Sequence, residues 1–184
     1  TTEEPLQIPT LIDYDAIVII LPTNPFSPIE TNAIQTMISN GKGLLLIGDA
    51  YNVSDFHQPM HQISTLFGTF FNNDIVIDPT THHPIGPLIC ENNNCDHQPE
   101  LWPKITELTQ HATTTGIDTT YYYFGSSLTT MPPSYPIAQG DADCFGDLNW
   151  DFIKDPTEQT NPTLLSAAYH NNGRVFCSGE HGYL

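Results

Sequence analysis

Two uninterrupted apolar runs constrain the fold of this chain more than any other feature of its sequence. They occupy residues 16–21 and 44–47 and show no alternation of polar and apolar side chains. Strands buried on both faces of a parallel sheet have this pattern. Between the runs, Ser27 is placed as a helix N-cap, Pro28 at the first helical position and Glu30 three residues after the cap. The segment therefore predicts a right-handed strand–helix–strand unit.

The remainder of the chain continues to alternate between helices and strands. Its apolar patterns predict helices at residues 60–71 and 102–111, and strands at residues 74–78, 121–124, 163–169 and 174–178. The last two strands flank an Asn-Asn-Gly turn at residues 171–173, which predicts a closing hairpin. We therefore expect one α/β domain over residues 1–184, with a mostly parallel central sheet and a C-terminal hairpin.

The charge balance excludes several classes of partner. The chain has 4 Lys+Arg against 21 Asp+Glu, and its formal net charge is −17. A surface this negative repels nucleic-acid backbones and anionic lipid headgroups, and no apolar run in the sequence is long enough to cross a bilayer. Charged residues make up only 14% of the chain. The surface is therefore rich in uncharged polar side chains, which favours an extracellular or cell-surface location.

Four cysteines, an even number, favour disulfides in such a location. Cys90 and Cys95 flank a short polar loop and are predicted to close a small ring, which leaves Cys144 to pair with Cys177. Four buried or free thiols are the alternative. None of the four lies in a Cys-x-x-Cys pattern, so a zinc ribbon or a redox pair is not indicated.

Several segments resemble one known family. Residues 13–19, 27–30 and 40–49, together with residues 165–169, 173–176 and 178–180, are similar to glutamine-amidotransferase-like domains. The resemblance implies a flavodoxin-like three-layer sandwich, and related modules occur in bacterial and archaeal surface or transport proteins and in an intraflagellar-transport subunit. True amidotransferases of this group place a nucleophilic cysteine in a glycine-flanked turn. No cysteine here has that setting, so the resemblance implies a domain without amidotransferase activity.

Residues 141–151 concentrate acidic and amide side chains around Gly146. Hard cations such as calcium take oxygen ligands at alternating positions of such loops. The stretch is similar to an EF-hand loop, but Phe145 replaces a side-chain ligand and no glutamate closes the loop at Phe152. It predicts a calcium site, with a solvated acidic turn as the alternative. The predicted ligands are Asp141, Asp143, Asp147, Asn149 and Asp151.

A second constellation depends on topology, because loops after parallel strands converge at the carboxyl edge of the sheet. The ligand-binding side chains expected there are Asn24, Asp49, Tyr51, Asn52, Glu180 and His181. His57 and His61 predict a zinc-type ion held with a nearby carboxylate, although Pro59 disfavours a regular helix between them. A capping or solvated role is the alternative for each residue alone. Aromatic residues 121–124 and Trp150 suit stacking on sugars or, alternatively, core packing.

Three functions are consistent with these observations. The first is a noncatalytic extracellular module, stabilised by disulfides and calcium, that binds a protein or glycan partner or assembles into a surface layer or filament. It would form part of a longer secreted or surface protein. The second is a metal-assisted hydrolase at the carboxyl edge of the sheet. The third is a solute-binding or sensory component of a membrane transport system.

Overall fold

A computed structural model describes residues 5–51, 55–91 and 94–182 of the protein. Within these ranges the chain forms three α-helices, α1 (Ile8–Leu11), α2 (Pro28–Ser39) and α3 (His57–Ser64), and two turns of 3₁₀-helix at Thr65–Phe67 and Pro99–Leu101. The strands are β1 (Ala16–Ile20), β2 (Gly43–Ile47), β3 (Thr69–Phe71), β4 (Ile75–Ile77), β5 (Leu88–Glu91), β6 (Asn94–His97), β7 (Lys104–Ile105), β8 (Glu107–Leu108), β9 (Thr120–Tyr121), β10 (Leu128–Thr130), β11 (Ser134–Gln139), β12 (Phe145–Asp147), β13 (Thr163–His170) and β14 (Gly173–Ser178).

The predicted strand–helix–strand unit is confirmed as β1, α2 and β2. Strands β1 and β2 pair in parallel, with Val18 opposite Leu45. A reciprocal capping box begins α2: the Ser27 N–H donates to Glu30 Oε2 at 2.9 Å, and the Glu30 N–H donates to Ser27 Oγ at 3.3 Å. The local signals of this segment therefore agree with its tertiary environment.

The large sheet is mixed, not mostly parallel as expected. Its path runs β1-β2-β14-β13-β10-β3, and β11 joins it by pairing with both β13 and β8. Only β1–β2 and β2–β14 pair in parallel within the described ranges. The other pairs are antiparallel, including the predicted C-terminal hairpin of β13 and β14. The α/β class is confirmed, and the parallel character is limited to three strands.

Two predicted helices are corrected by strand pairing. Residues 102–111 form no helix, because β7 pairs with β9 and β8 pairs with β11. The helix expected over residues 60–71 ends as α3 at Ser64, and β3 follows it. Gly68 separates the two elements: its φ of +81° is left-handed, and a Cβ there would collide with the backbone carbonyl of Met131. Short apolar segments fit either element, so their long-range partners decided between the two.

Helices α2 and α3 cover one face of the sheet. Strand residues Leu44, Leu46 and Val175 lie in the same buried cluster as Ile34 of α2 and Ile63 of α3. Leu46 has no exposed surface, and burial of one such side chain stabilises the fold by roughly 1.5–3 kcal/mol. Because side chains alternate along a strand, the other half of β1, β2 and β14 points to the opposite face.

Candidate functional site

The carboxyl ends of β2 and β14 lie side by side because the two strands are parallel neighbours. Asp49 follows β2, and His181 follows β14. Asp49 Oδ2 lies 3.1 Å from His181 Nδ1, and Asp49 Oδ1 accepts the N–H of Ala50 at 2.7 Å. The carboxylate is 6% exposed, and this burial raises its pKa, although the Ala50 N–H and His181 oppose the shift. A side-chain contact between Asp49 and His181 thus joins the two loops at this edge.

Glu180 fixes the backbone on the other side of the same edge. The residue is 1% exposed, and its Oε2 accepts the N–H groups of Tyr123 and Gly182, each at 3.1 Å. Its backbone carbonyl also accepts the Ser178 hydroxyl at 3.0 Å. A buried carboxylate that accepts backbone N–H groups orders the segments that donate them. Glu180 therefore holds Tyr123 beside the end of β14.

An open pocket of about 550 Å³, here called the aromatic pocket, lies next to Gly182. The Trp102 ring meets the Tyr123 ring edge to face at 5.2 Å and lies 6.1 Å from the Tyr121 ring. Trp102 also stacks with His83, with ring centroids 4.2 Å apart. Tyr123 is 36% exposed. The lining residues are Trp102, Thr119, Thr120, Tyr121, Tyr123 and Gly182.

A second pocket of about 290 Å³, here called the apolar pocket, also reaches this edge. Glu180 and His181 line it together with the outward-facing side chains of β2, β13 and β14. Ile117 closes part of it from the loop between β8 and β9. The segment from Glu180 to Gly182 therefore lies between a largely apolar pocket and an aromatic one.

The predicted edge residues are only partly brought together. Asp49, Glu180 and His181 are clustered, as described above. Asn24 is exposed in the loop after β1 and lines neither pocket. Tyr51 packs instead on Trp150, with ring centroids 5.1 Å apart, and burial together with the charges of Asp147 and Asp74 raises the pKa of its hydroxyl. Asn52 lies outside the described residues.

The predicted zinc site is not assembled. His57 and His61 do lie on one helix, because Pro59 sits in the first turn of α3, where a proline costs no hydrogen bond. Their rings stack 5.4 Å apart, but His61 Nε2 already lies 3.1 Å from both the backbone nitrogen and the carbonyl oxygen of Phe71, so it is hydrogen-bonded there in either tautomer. Burial and the neighbouring His61 lower the pKa of His57 to about 4. The pair is a neutral, half-buried packing contact, and no carboxylate among the described residues completes it as a metal site.

The predicted disulfide between Cys144 and Cys177 is corrected, because both residues are free, buried thiols in different hydrophobic clusters. Burial raises the pKa of Cys177 to about 12, against the hydrogen bonds of Thr69 and Ser166. Burial and nearby aspartates raise the pKa of Cys144 well above its ordinary value. Neither thiol is a nucleophile near neutral pH, since the thiolate is the reactive form.

The other predicted disulfide stays a prediction. The backbones of Cys90 and Cys95 lie opposite one another in the hairpin of β5 and β6. Their side chains lie outside the described parts of the structure.

The predicted calcium ligands fall into two groups rather than one. Asp141 and Asp143 join Asp78, and these carboxylates have oxygen atoms within 4.8 Å of one another. Asp147 is instead fully buried, and its two oxygens accept the N–H groups of Trp150 at 2.7 Å and Phe152 at 2.8 Å.

The two remaining predicted ligands lie in the turn that Asp147 caps. The Asn149 side-chain amide donates to Asp151 at 3.0 Å. Strand β12 separates this turn from the aspartate triad because it pairs with β4. The single-loop ligand set is therefore corrected.

Comparisons with known proteins find structures of similar fold but do not assign the chain to a family. No family model matches the chain, and no curated protein matches it. Among solved structures it is similar to the N-terminal domain of mmIFT52 (TM-score 0.68, 16% identity, 96% of this chain and 70% of that one). It is also similar to a cytoplasmic protein of Salmonella typhimurium LT2 (0.56, 16%, 97% and 65%). A third similar structure is a ThuA-like protein of Bacteroides uniformis (0.53, 17%, 95% and 62%).

The chain thus spans about two thirds of the length of the similar structures. At these identities the similarity concerns the fold alone. Among the described helices, none has the length and apolar character needed to cross a bilayer.

Sequence reasoning missed most of the aromatic pocket. His83, Trp102, Thr119 and Thr120 come from separate segments, which meet only because β7 pairs with β9. The aromatic residues 121–124 are the sequence signal that points to this pocket. Tyr122 is 1% exposed and Tyr123 36% exposed, so alternation along the segment sends one ring to the core and the next to the surface.

Proposed function

We propose that this protein is a noncatalytic extracellular binding module whose aromatic pocket binds a glycan. The observation that carries the proposal is the open pocket formed by Trp102, Tyr121 and Tyr123 beside the buried carboxylates of the sheet edge. Aromatic rings with apolar faces and polar rims suit the apolar faces of pyranose rings. Thr119, Thr120 and the neighbouring His181 supply hydroxyl and imidazole groups for sugar hydroxyls.

The net negative charge of the protein limits which kinds of glycan it is expected to bind. With a net charge of −17, the protein repels sulfated, phosphorylated and uronic-acid chains. Asp49 contacts His181, which precedes Gly182 of the aromatic pocket in the chain, and adds to the negative charge of this sheet edge. The expected ligand is therefore a neutral sugar or a cationic amino sugar.

The noncatalytic part of the proposal rests on the two described thiols. Cys144 and Cys177 are both buried, and burial raises the pKa of each. The edge histidines His57 and His61 are engaged in packing and hydrogen bonding. From the resemblance to glutamine-amidotransferase-like domains we also propose a common ancestry with that family. Support for a flavodoxin-like relationship comes from the parallel strands β1, β2 and β14 with the crossover helix α2 and from the fold similarity to a ThuA-like protein.

Calcium remains part of the proposal at the triad of Asp78, Asp141 and Asp143. Asp78 is 1% exposed, and its burial raises its pKa, with the charges of Asp141 and Asp143 acting in the same direction. A divalent cation would offset that repulsion and supply the positive charge that this part of the chain lacks. Its role would be to stabilise the loops, since the triad is not part of either pocket.

Binding to an array of neutral, amino-sugar and sulfated oligosaccharides, followed by titration calorimetry, tests the glycan proposal. We expect a neutral or amino-sugar ligand, with Trp102→Ala weakening its affinity at least about tenfold. Trp150→Ala is the matched control, because Trp150 is another partly exposed tryptophan that stacks outside the pocket on Tyr51. Equal affinity in the wild type and Trp102→Ala, or a preference for sulfated chains, would overturn the proposal.

A further inference from the structure

None of the described helices covers the second face of the parallel strands. Val18 and Ile20 of β1 are 53% and 44% exposed, whereas Ile19, which points to the helices, is 7% exposed. Val18, Leu45 and Phe176 lie in register across β1, β2 and β14 and form one apolar row. We call the surface formed by Val18, Ile20, Leu45 and Phe176 the open face. Parallel strands in folded proteins are normally covered on both faces.

Two pockets lie on the open face, one on each side of the loop between β8 and β9. The apolar pocket lies at its carboxyl edge, and a further pocket of about 570 Å³ lies towards the other end of the strands. Leu45, Phe176 and Thr113 line both pockets. The loop between β8 and β9 therefore lies over the sheet around Thr113, where Leu45 and Phe176 are half-buried, and leaves Val18 and Ile20 of β1 exposed.

The dimensions of the three parallel strands match those of an α-helix. Three neighbouring strands spaced about 4.8 Å apart are about 10 Å wide, which is close to the diameter of a helix with its side chains. Strands β1 and β2 are five residues long, or about 17 Å, and a helix of about 11 residues has that length. The twelve-residue helix α2 packs against the opposite face of these strands.

The rim of the open face is acidic. Asp13 and Asp15 precede β1, and Glu107 and Asp118 adjoin Leu108 and Ile117, which line the apolar pocket. All four acidic residues are exposed. Two basic residues lie close to this rim. Lys42 already pairs with Asp15, with Nζ and Oδ1 3.0 Å apart. Arg174 is exposed beside the larger pocket. The electrostatic complement of this rim is an occupant with several Lys or Arg residues.

We propose that the open face binds an amphipathic α-helix of a partner protein, about three turns long, whose apolar stripe is flanked by Lys and Arg. Helices bind apolar grooves in this way through residues at i, i+3, i+4 and i+7. A second copy of this chain does not fit. Its described helices α1, α2 and α3 contain no Lys or Arg, and two chains of net charge −17 repel each other. The proposal does not depend on glycan binding.

Selection from a displayed library of helical peptides tests the proposal. Each peptide carries a fixed leucine stripe and random residues at the flanking positions, and the bait is the purified wild-type chain. We expect enriched peptides to carry an excess of Lys and Arg and to bind the wild type. Their affinity for Val18→Asp should fall at least about tenfold, because the new carboxylate interrupts the apolar row and has no partner there.

Ile29→Asp is the matched control, since Ile29 is 68% exposed on α2 and the substitution adds the same charge away from the open face. Circular dichroism and thermal melting of both variants establish that they fold. Binding that is equal in both variants is non-specific attraction to an acidic protein and would overturn the proposal. So would enrichment of acidic or uncharged flanks. Dimerisation in analytical ultracentrifugation that Val18→Asp abolishes would assign the face to a second copy and also overturn it.

Discussion

Asp49 Oδ2 and His181 Nδ1 lie 3.1 Å apart and connect the loops that follow two adjacent parallel strands. Asp49 is buried, whereas the His181 side chain is 46% exposed. The pair is therefore partly screened by solvent. It joins two of the predicted edge residues directly through their side chains. Its strength is measurable by a double-mutant cycle.

We expect Asp49→Asn and His181→Gln to be coupled by about 0.5–1 kcal/mol in the free energy of unfolding. Both substitutions keep the approximate side-chain volume, so the coupling isolates the interaction. Urea unfolding of the two single variants and the double variant measures it. Strict additivity of the two effects would show that the contact contributes nothing to stability.

The stability of the protein should fall as the pH is lowered from about 6.5 to about 4, because of His57. Burial lowers the pKa of His57 to about 4 in the folded state, whereas the unfolded chain binds the proton near the ordinary value of about 6.5. The stability that neutral His57 contributes is thus fully present above its pKa in the unfolded chain. It is lost as the pH falls towards its pKa in the folded protein. After allowance for partial exposure, we expect about 1–2 kcal/mol.

Urea unfolding at several pH values, with His57→Gln beside the wild type, checks this expectation. In His57→Gln, the free energy of unfolding should fall less steeply with decreasing pH. The control His97→Gln, at an exposed position, should show the same pH dependence as the wild type. Burial raises the pKa of Asp49, Asp74 and Asp78, which acts in the opposite direction. The difference between variants, not the absolute slope, therefore carries the result. Identical slopes in His57→Gln and the wild type would contradict the assignment.

Substitution of Gly68 should destabilise the fold far more than substitution of Gly116. Both glycines have left-handed φ angles, +81° and +79°, which cost another residue about 1–2 kcal/mol. A Cβ at Gly68 would in addition collide with the Met131 carbonyl, whereas nothing lies within 4 Å of one at Gly116. We expect Gly116→Ala to cost about 1 kcal/mol and Gly68→Ala about 3 kcal/mol or more. Equal losses in chemical denaturation would mean that the backbone angle alone matters.

Cys144 and Cys177 should be free and unreactive in the native protein. Both are buried, and burial raises the pKa of each thiol, so little thiolate forms at neutral pH. Iodoacetamide should modify neither residue before unfolding and both after unfolding without a reductant, as peptide mass mapping would show. A Cys144–Cys177 crosslink in the unreduced digest would contradict the structure. The same map reports on Cys90 and Cys95.

Calcium should stabilise the protein through the triad of Asp78, Asp141 and Asp143. At calcium concentrations about tenfold above the dissociation constant, we expect the melting temperature to rise by about 2–4 °C. Asp143→Asn should abolish the rise, while Asp151→Asn should keep it, because Asp151 belongs to the separate turn with Asn149. No rise in the wild type, or the same rise in Asp143→Asn, would remove calcium from the proposal.

Local chemistry explains which sequence predictions succeeded. The capping box of Ser27 and Glu30, the apolar runs of β1 and β2 and the Asn-Asn-Gly turn before β14 are all encoded within a few residues. Predictions that needed a distant partner failed more often. Residues 102–111 became strands because β7 and β8 have partners elsewhere in the chain, and the acidic stretch was divided because β12 pairs with β4.

The sequence by itself determined the α/β class, the acidic surface and the position of Asp49 and His181 at the carboxyl edge. Periodicity, capping and charge are properties of neighbouring residues, and the carboxyl ends of parallel strands must meet. Only the tertiary structure decided that Cys144 and Cys177 lie in separate clusters, that Trp102 joins Tyr121 and Tyr123, and that Val18 and Ile20 stay exposed. These outcomes depend on which strands pair across long stretches of chain, and that choice is made by the free energy of the whole packed core.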